Sequence, residues 1–573
     1  MPLFDLDEGL YAAASRQMAI SGDWITPRLN SHPPQNPAAS TVPFFEKPAL
    51  IYWLAAGSMR LFGITPLAAR LPVALAALAT TALIWWAGLL WFGRRAGRLA
   101  ALIYMTSPLT LVDARQLTTD GLLVLWFSII LFSFWACLKA YERGDSPGSL
   151  RYAVLCWIAA ALAVLTKGAA GIVLPALAIG LYLLLKGLAF HLRAKAGIRF
   201  HFLLETRPLS SLAPALRALR LPLGILLLLL IAFPWHYLIW KAGGRDELGH
   251  TWVQEYIIRQ HIGRFKGLDK VHDLPFPSYF LFFLLGFFPW ACFTPAAFRT
   301  VGNPEERDAR RFLLAWFWTI FLFFSTAAAK LPTYIAPIYP AAALLVGRWL
   351  AGEQKESSAR SLRRGAFAGF LTGMFLLAAV LIGPKFAPHN APVSGSVERA
   401  LQIVAILLTA GCAAALLFFQ NSSSAGRTRG VAALTVMLIL LAGVGYTEGY
   451  AAADHLLGAY QRLSMSAIPD SQKGIPIVYY HIIPRRPSML FYGGYSPYEH
   501  KETPLLPWLR ISVPLKNGKA DIITSEREWK LQLKEELASS GIPSREIARS
   551  GEGVNGWRLL QIQLPVEPGR PSP

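Results

Sequence analysis

The chain has 573 residues, of which 54% are hydrophobic and only 16% charged, and its mean hydropathy is +0.40. That balance excludes an ordinary soluble enzyme and indicates a polytopic membrane protein. The formal net charge is +21, but the basic residues fall mostly in short loops between apolar stretches. They are therefore a topology signal, and nucleic acid is not expected as a partner.

Residues 1–47 are polar and proline-rich. They carry Asp7-Glu8-Gly9-Leu10-Tyr11, Ser21-Gly22-Asp23-Trp24 and the start of Phe44-Phe45-Glu46-Lys47-Pro48. No apolar span precedes Asp7, so insertion is expected to rely on the next span or on an upstream start. Residues 31–42 read as a flexible insert between two motifs. Residues 48–62, with Tyr52, Trp53 and Arg60, read as an interfacial helix.

Twelve spans are expected near 66–92, 96–112, 118–140, 152–166, 169–187, 221–240, 276–297, 312–328, 332–351, 366–384, 399–419 and 430–449. The four cysteines, Cys137, Cys156, Cys292 and Cys412, all lie inside them, which indicates neither a disulfide framework nor a zinc knuckle. One set of alternate loops is rich in arginine and lysine and belongs in the cytoplasm. The opening motifs, residues 113–117, Lys167, the 241–275 loop, Lys330 and the C-terminal region then share the opposite face. Beyond residue 450 hydropathy falls. Strands are predicted at 475–480, 520–524 and 557–564, and helices at 486–493 and 526–539, giving a small α/β domain.

Several polar residues on the shared face suit chemistry. Asp7 and Glu8 can serve as a general base, a metal ligand or a partner for a sugar, or can be a solvated acidic pair. Lys47 can bind a lipid phosphate or simply snorkel. Asp120 opens a span, where it either pairs with a cation or caps the helix; Arg115 stands close by. Lys167 and Lys330 lie where the chain barely surfaces and can line an anion site. In the 241–275 loop, Arg264 has the forked donors that suit phosphate. His261 and His272 can hold a metal with Glu46 or simply make ordinary hydrogen bonds. No glycine-rich phosphate loop or serine-hydrolase elbow is present.

With these residues assembled, the chain resembles the lipid-linked-sugar glycosyltransferases of the GT-C superfamily. It is most similar to the bacterial aminoarabinose transferase family and its protein mannosyltransferase-like relatives. The resemblance runs through Asp7-Glu8-x-x-Tyr11, Ser21-Gly22-Asp23-Trp24, Phe45-Glu46-Lys47-Pro48, Ala69-Arg70-Leu71-Pro72 and Thr119-Asp120. It continues through Thr166-Lys167-Gly168, His261-x-x-Arg264-Phe265, Lys330-Leu331-Pro332-Thr333-Tyr334 and Ser488-Met489-Leu490-Phe491-Tyr492. The chain departs from the family in having Leu10 where an arginine usually precedes the tyrosine, no span before Asp7, and the 31–42 insert.

The resemblance implies an all-α membrane body of the GT-C type with a small C-terminal α/β periplasmic domain, divided as 1–65, 66–449 and 450–573. It implies a glycosyltransferase of the bacterial inner membrane. The enzyme would move a sugar from undecaprenyl phosphate to lipid A on the periplasmic face, or to protein or another glycan. The residues expected at the reaction are Asp7, Glu8 and Asp120, and those at the donor phosphate are Lys47, Arg264, Lys330 and Lys167. Tyr11, Tyr52, Arg115 and Tyr334 are expected to touch substrates. No definite cofactor is implied, and whether a divalent metal at Glu46 and His261 is needed stays open. A lipid-linked-sugar transporter is the rival reading; the absence of an internal repeat and the clustering of polar residues at one face favour an enzyme.

Overall fold

Long apolar stretches bounded by glycine, proline or arginine become helices, because within a single segment only a helix satisfies its backbone groups without water. A computed structural model of the chain describes residues 2–5, 7–32, 40–194, 212–263, 274–301, 303–352, 356–382, 395–420, 423–482, 486–500, 504–551 and 556–565. Among these, nine helices are long and apolar enough to cross a membrane. The chain is a multi-pass membrane protein. The nine include α3 (Pro66–Phe92), α6 (Thr119–Glu142), α7 (Ser146–Lys167) and α8 (Ala170–Ala194, crossing over Ala170–Gly187), with Leu221–Ala242 after them. Pro332–Ala351, Arg360–Ile382, Glu398–Gln420 and Ala425–Ala451 complete the set. Helix α6 and Pro332–Ala351 are the most enclosed, and fewer than a third of the residues of the three helices after them are buried.

Two expected spans are broken. The 96–112 stretch divides into α4 (Arg94–Thr106) and α5 (Pro108–Asp113), because Pro108 has no N–H and holds Ser107 extended. The 276–297 stretch divides into Ser278–Gly286 and Trp290–Arg299, which meet at 108°. The expected 312–328 span belongs to a helix that begins earlier, at Pro304. The four cysteines form no disulfide.

The opening segment is more ordered than its polarity suggests. Asp7–Ser21 forms helix α1, with Asp7 and Glu8 in its first turn, where carboxylates favour the helix N-terminus. Tyr11, Ala12, Ala13, Ala14 and Met18 are buried against α2 (Leu50–Phe62) and the C-terminal region. The 31–42 insert is closed at its base by a ladder of β1 (Arg28–Asn30) with β2 (Thr41–Pro43), and residues 33–39 lie outside the described residues.

The C-terminal region holds a five-stranded sheet in the order β4-β3-β5-β7-β6. Its strands are β3 (Ile477–Tyr480), β4 (Tyr498–His500), β5 (Lys519–Ser525), β6 (Ser544–Ser550) and β7 (Trp557–Gln563). Strands β4 and β6 were not expected from the sequence. β3 runs parallel to β4 and β5, while β7 is antiparallel to β5 and β6. This region is tied to the chain's start by Asp5, which accepts from the Ser488 N–H (3.0 Å), the Ser488 Oγ (2.6 Å) and the Tyr460 hydroxyl. Gly9 packs directly on the backbone there: a Cβ on it would lie 2.6 Å from the Ser488 nitrogen.

Asp521 on β5 is fully enclosed. Burial, with Asp470 nearby, pushes its carboxyl up to about 6. The folded state therefore keeps a proton that the unfolded chain loses above about pH 4. Stability from this group is present below that pH and is lost as pH rises to about 6. Asp521→Asn is expected to flatten the pH dependence of unfolding over that window, measured by thermal melts at a series of pH values.

Candidate active site

The turn between α7 and α8, the entry to α2, the wide-turned helix Val253–Gly263 and the approach to Pro332 enclose a cavity of ≈300 Å³. Glu46, Lys47, Lys167, Gln260, His261 and Tyr334 supply its polar walls. Val173, Leu174, Phe323 and Phe324 supply apolar ones. A cavity lined by both ammonium groups and hydrocarbon suits an anion that carries an apolar tail.

Each cation is held differently. Lys47 is buried, and its Nζ donates to the Gln260 Oε1 at 3.2 Å. Lys167 ends α7, lies 4.5 Å above the Tyr334 ring and forms an ion pair with Asp120 in the first turn of α6. The Thr333 hydroxyl donates to the other Asp120 oxygen at 2.8 Å. Of the two readings open for Asp120, the structure places it in a pair. Lys330 is buried but outside the cavity walls. Its Nζ donates to the Ala327 carbonyl (2.6 Å) just past helix Pro304–Thr326, where a cation meets the negative end of the helix dipole. Arg264 and His272 lie outside the described residues.

Gly168 shows why the lysine turn is built as it is. Its φ is +68°, and a Cβ there would lie 2.4 Å from both the His261 Nε2 and the Tyr256 hydroxyl. Gly168→Ala is expected to cost about 1–3 kcal/mol in backbone strain alone. It should also displace His261 and Tyr256 from the cavity wall. Thermal melts in detergent and the KM for the donor check both effects.

His261 donates from Nδ1 to the Tyr256 carbonyl (2.7 Å), which leaves Nε2 as the acceptor of the Ala169 N–H at 3.3 Å. A ring nitrogen tied to a backbone carbonyl is the arrangement that orients a metal-binding imidazole. Glu46 lines the same cavity, but a metal held there would have to displace the Ala169 N–H from the His261 Nε2 lone pair. A second donor cluster, Asp246, His250 and Glu255, has ligand atoms within 4.8 Å of one another. There the Arg259 guanidinium sits on Glu255 at 3.2 Å, and the group forms an ion-pair network.

The opening motif divides into separate roles. Glu8 is 2% exposed; its carboxylate takes the Arg70 guanidinium at 2.7 and 2.8 Å, the Leu117 N–H at 2.9 Å and the Phe4 N–H at 2.7 Å. It is occupied in joining α1 to α3 and is not presented to a substrate. Asp7, one residue earlier, is exposed. It is near enough to Tyr52 that, after burial and the charge of Glu46, its own charge raises that phenol's pKa. Tyr11 is enclosed with its ring edge against Tyr52 at 5.9 Å. The Tyr52 hydroxyl is buried with no hydrogen-bond partner among the described residues.

Arg115 stands apart from the first cavity. With Gln116 and Phe4 it lines a second one of ≈380 Å³, whose remaining walls are almost all apolar. Sequence reasoning missed Gln260 and Asp5, and it met Thr333 only inside the Lys330–Tyr334 motif. Arg70 appeared within a motif, with no partner to give it a role.

Residues 46–202 match the family model described as dolichyl-phosphate-mannose-protein mannosyltransferase. The chain is 30% identical over 443 residues to the undecaprenyl phosphate-α-4-amino-4-deoxy-L-arabinose arabinosyl transferase of Aeromonas hydrophila, covering 77% of this chain and 72% of that protein. The transferase of the same name from Pectobacterium atrosepticum is 31% identical over 384 residues, covering 66% of this chain and 60% of that one. The fold matches the crystal structure of ArnT from Cupriavidus metallidurans bound to undecaprenyl phosphate, with a TM-score of 0.70 at 22% identity, covering 98% of this chain and 94% of that one.

Proposed function

Because the chain belongs to the undecaprenyl phosphate-α-4-amino-4-deoxy-L-arabinose arabinosyl transferase family, we propose that it transfers aminoarabinose or a related sugar from an undecaprenyl-phosphate carrier. The acceptor is a phosphate of lipid A at the periplasmic face of a bacterial inner membrane. The observation that carries this reading is the cavity that sets Lys47 and Lys167 against an apolar wall. The carrier phosphate lies at the two ammonium groups and the prenyl chain along Val173, Leu174 and Phe323.

In the reaction an acceptor oxygen attacks the anomeric carbon, the bond from that carbon to the carrier phosphate breaks, and undecaprenyl phosphate leaves with the bond's electrons. Negative charge grows on the departing phosphate, so fixed cations there stabilise the transition state more than the ground state. Lys47 and Lys167 take this role, joined by Arg264. Asp120 holds Lys167 in place. Asp7 faces the sugar or the acceptor. A lipid A phosphate is already ionised and needs no base, so Asp7 then orients the acceptor or binds the sugar's amine; a hydroxyl acceptor would require it as a base. A divalent metal held by Glu46 and His261 would supply further positive charge beside the phosphate. The second cavity, apolar with Arg115 at its wall, suits the acyl chains and phosphate of the acceptor.

The test is expression in a strain lacking lipid A aminoarabinose addition, followed by lipid A mass spectrometry. An added aminoarabinose supports the substrate assignment. Unchanged lipid A with a newly glycosylated protein or glycan moves the chain to the wider family.

A further inference from the structure

The helix Val253–Gly263 is wound as a π-helix. In an ordinary α-helix, residues five apart point about 140° away from each other. In the wider π winding they come to one side, and here the Glu255 Oε1 accepts from the Gln260 Nε2 at 2.7 Å. The other end of the same amide faces the cavity and accepts from Lys47 at 3.2 Å. The buried Glu255 is itself fixed, with its Oε2 3.2 Å from both the Arg259 guanidinium and His250 Nδ1.

The chemistry of the three groups gives this chain a direction. A carboxylate only accepts and an ammonium only donates, whereas an amide does one at each end. With Glu255 on one side, the Gln260 amide has a single satisfied orientation: its NH2 on Glu255 and its oxygen on Lys47. Turned over, it would set a donor against an ammonium and an acceptor against a carboxylate. We propose that Gln260 and Glu255 are positioning residues for the donor phosphate: Glu255 sets the polarity of the Gln260 amide, and that amide holds the Lys47 ammonium at the cavity wall. The proposal rests on Lys47 binding the carrier phosphate.

The test measures undecaprenyl phosphate affinity and donor KM on the purified full chain. The variants are Gln260→Met, Glu255→Gln, Lys47→Ala and the Lys47→Ala/Gln260→Met double variant. Gln260→Met keeps the volume and removes both hydrogen bonds. It should weaken affinity and raise KM about tenfold, the size of one charge-assisted hydrogen bond. Glu255→Gln has the same shape but no longer dictates which end of the Gln260 amide faces Lys47, so it should weaken binding too; a packing role alone would leave it unchanged. In the Lys47→Ala background Gln260→Met should add nothing, because its effect runs through the missing ammonium. Equal losses from Gln260→Met in both backgrounds, or wild-type affinity in both Gln260→Met and Glu255→Gln, would overturn the proposal. Wild-type affinity in Lys47→Ala instead overturns the assignment of Lys47, whatever Gln260 does.

Discussion

Lys47→Ala is expected to lower transfer by about a hundred- to a thousandfold, the range for removing one fixed donor from a developing oxyanion. The protein should still insert and melt near the wild-type temperature. The Lys47 side chain is buried at the rim of a cavity that also contains Lys167. Lys167 does not make up for the loss, because its ammonium is fixed in its own place by Asp120 and the Tyr334 ring and cannot move to the position of Lys47. Lys47→Arg should recover only part of the loss, since a planar fork does not occupy the position of a compact point charge beside Gln260. Radiolabelled sugar transfer in reconstituted membranes, with protein quantified in the same vesicles, measures the effect. Full activity in Lys47→Ala would remove the phosphate role from this residue.

Glu8→Ala is expected to be the most destabilising single change in the opening motif, at about 3–5 kcal/mol. It takes the carboxylate away from Arg70, whose side chain is only 11% exposed, and leaves the Leu117 and Phe4 N–H groups without the acceptor they use. The double variant Glu8→Ala/Arg70→Met should melt higher than Glu8→Ala alone, because the guanidinium that lost its carboxylate is gone. Glu8→Gln keeps an acceptor for one backbone N–H and should lie between them. Thermal unfolding in detergent reads all four proteins. A Glu8→Ala variant that melts like wild type but transfers no sugar would return Glu8 to the chemistry.

What the sequence could reveal follows from how far apart the interacting groups are. Apolar runs and arginine-rich loops are local signals, and α2, the membrane helices, β3, β5 and β7 follow from them. Helix α1 escaped because its buried face is mostly alanine, which carries little hydrophobic signal beside Asp7, Glu8, Arg16 and Gln17. Strand β6 escaped because Ser544–Ser550 is an exposed, polar edge strand, and β4 because it has only three residues. The candidate residues Glu46, Lys47, Lys167, His261 and Tyr334 were legible as motifs, and they share one cavity. Their division of labour was not. The Glu8–Arg70 and Asp120–Lys167 pairs join residues 62 and 47 positions apart. The Glu255–Gln260 contact depends on a π winding that no residue pattern announces.

The most direct measurement uses purified protein in lipid vesicles with undecaprenyl phosphate-linked aminoarabinose and lipid A. Undecaprenyl phosphate released and aminoarabinose attached to lipid A are counted in the same sample. Equal amounts of both, lost together in Lys47→Ala, are the expected result. Neither product in the wild-type protein, with the donor merely redistributed between the two leaflets, would contradict a transferase and point to a transporter.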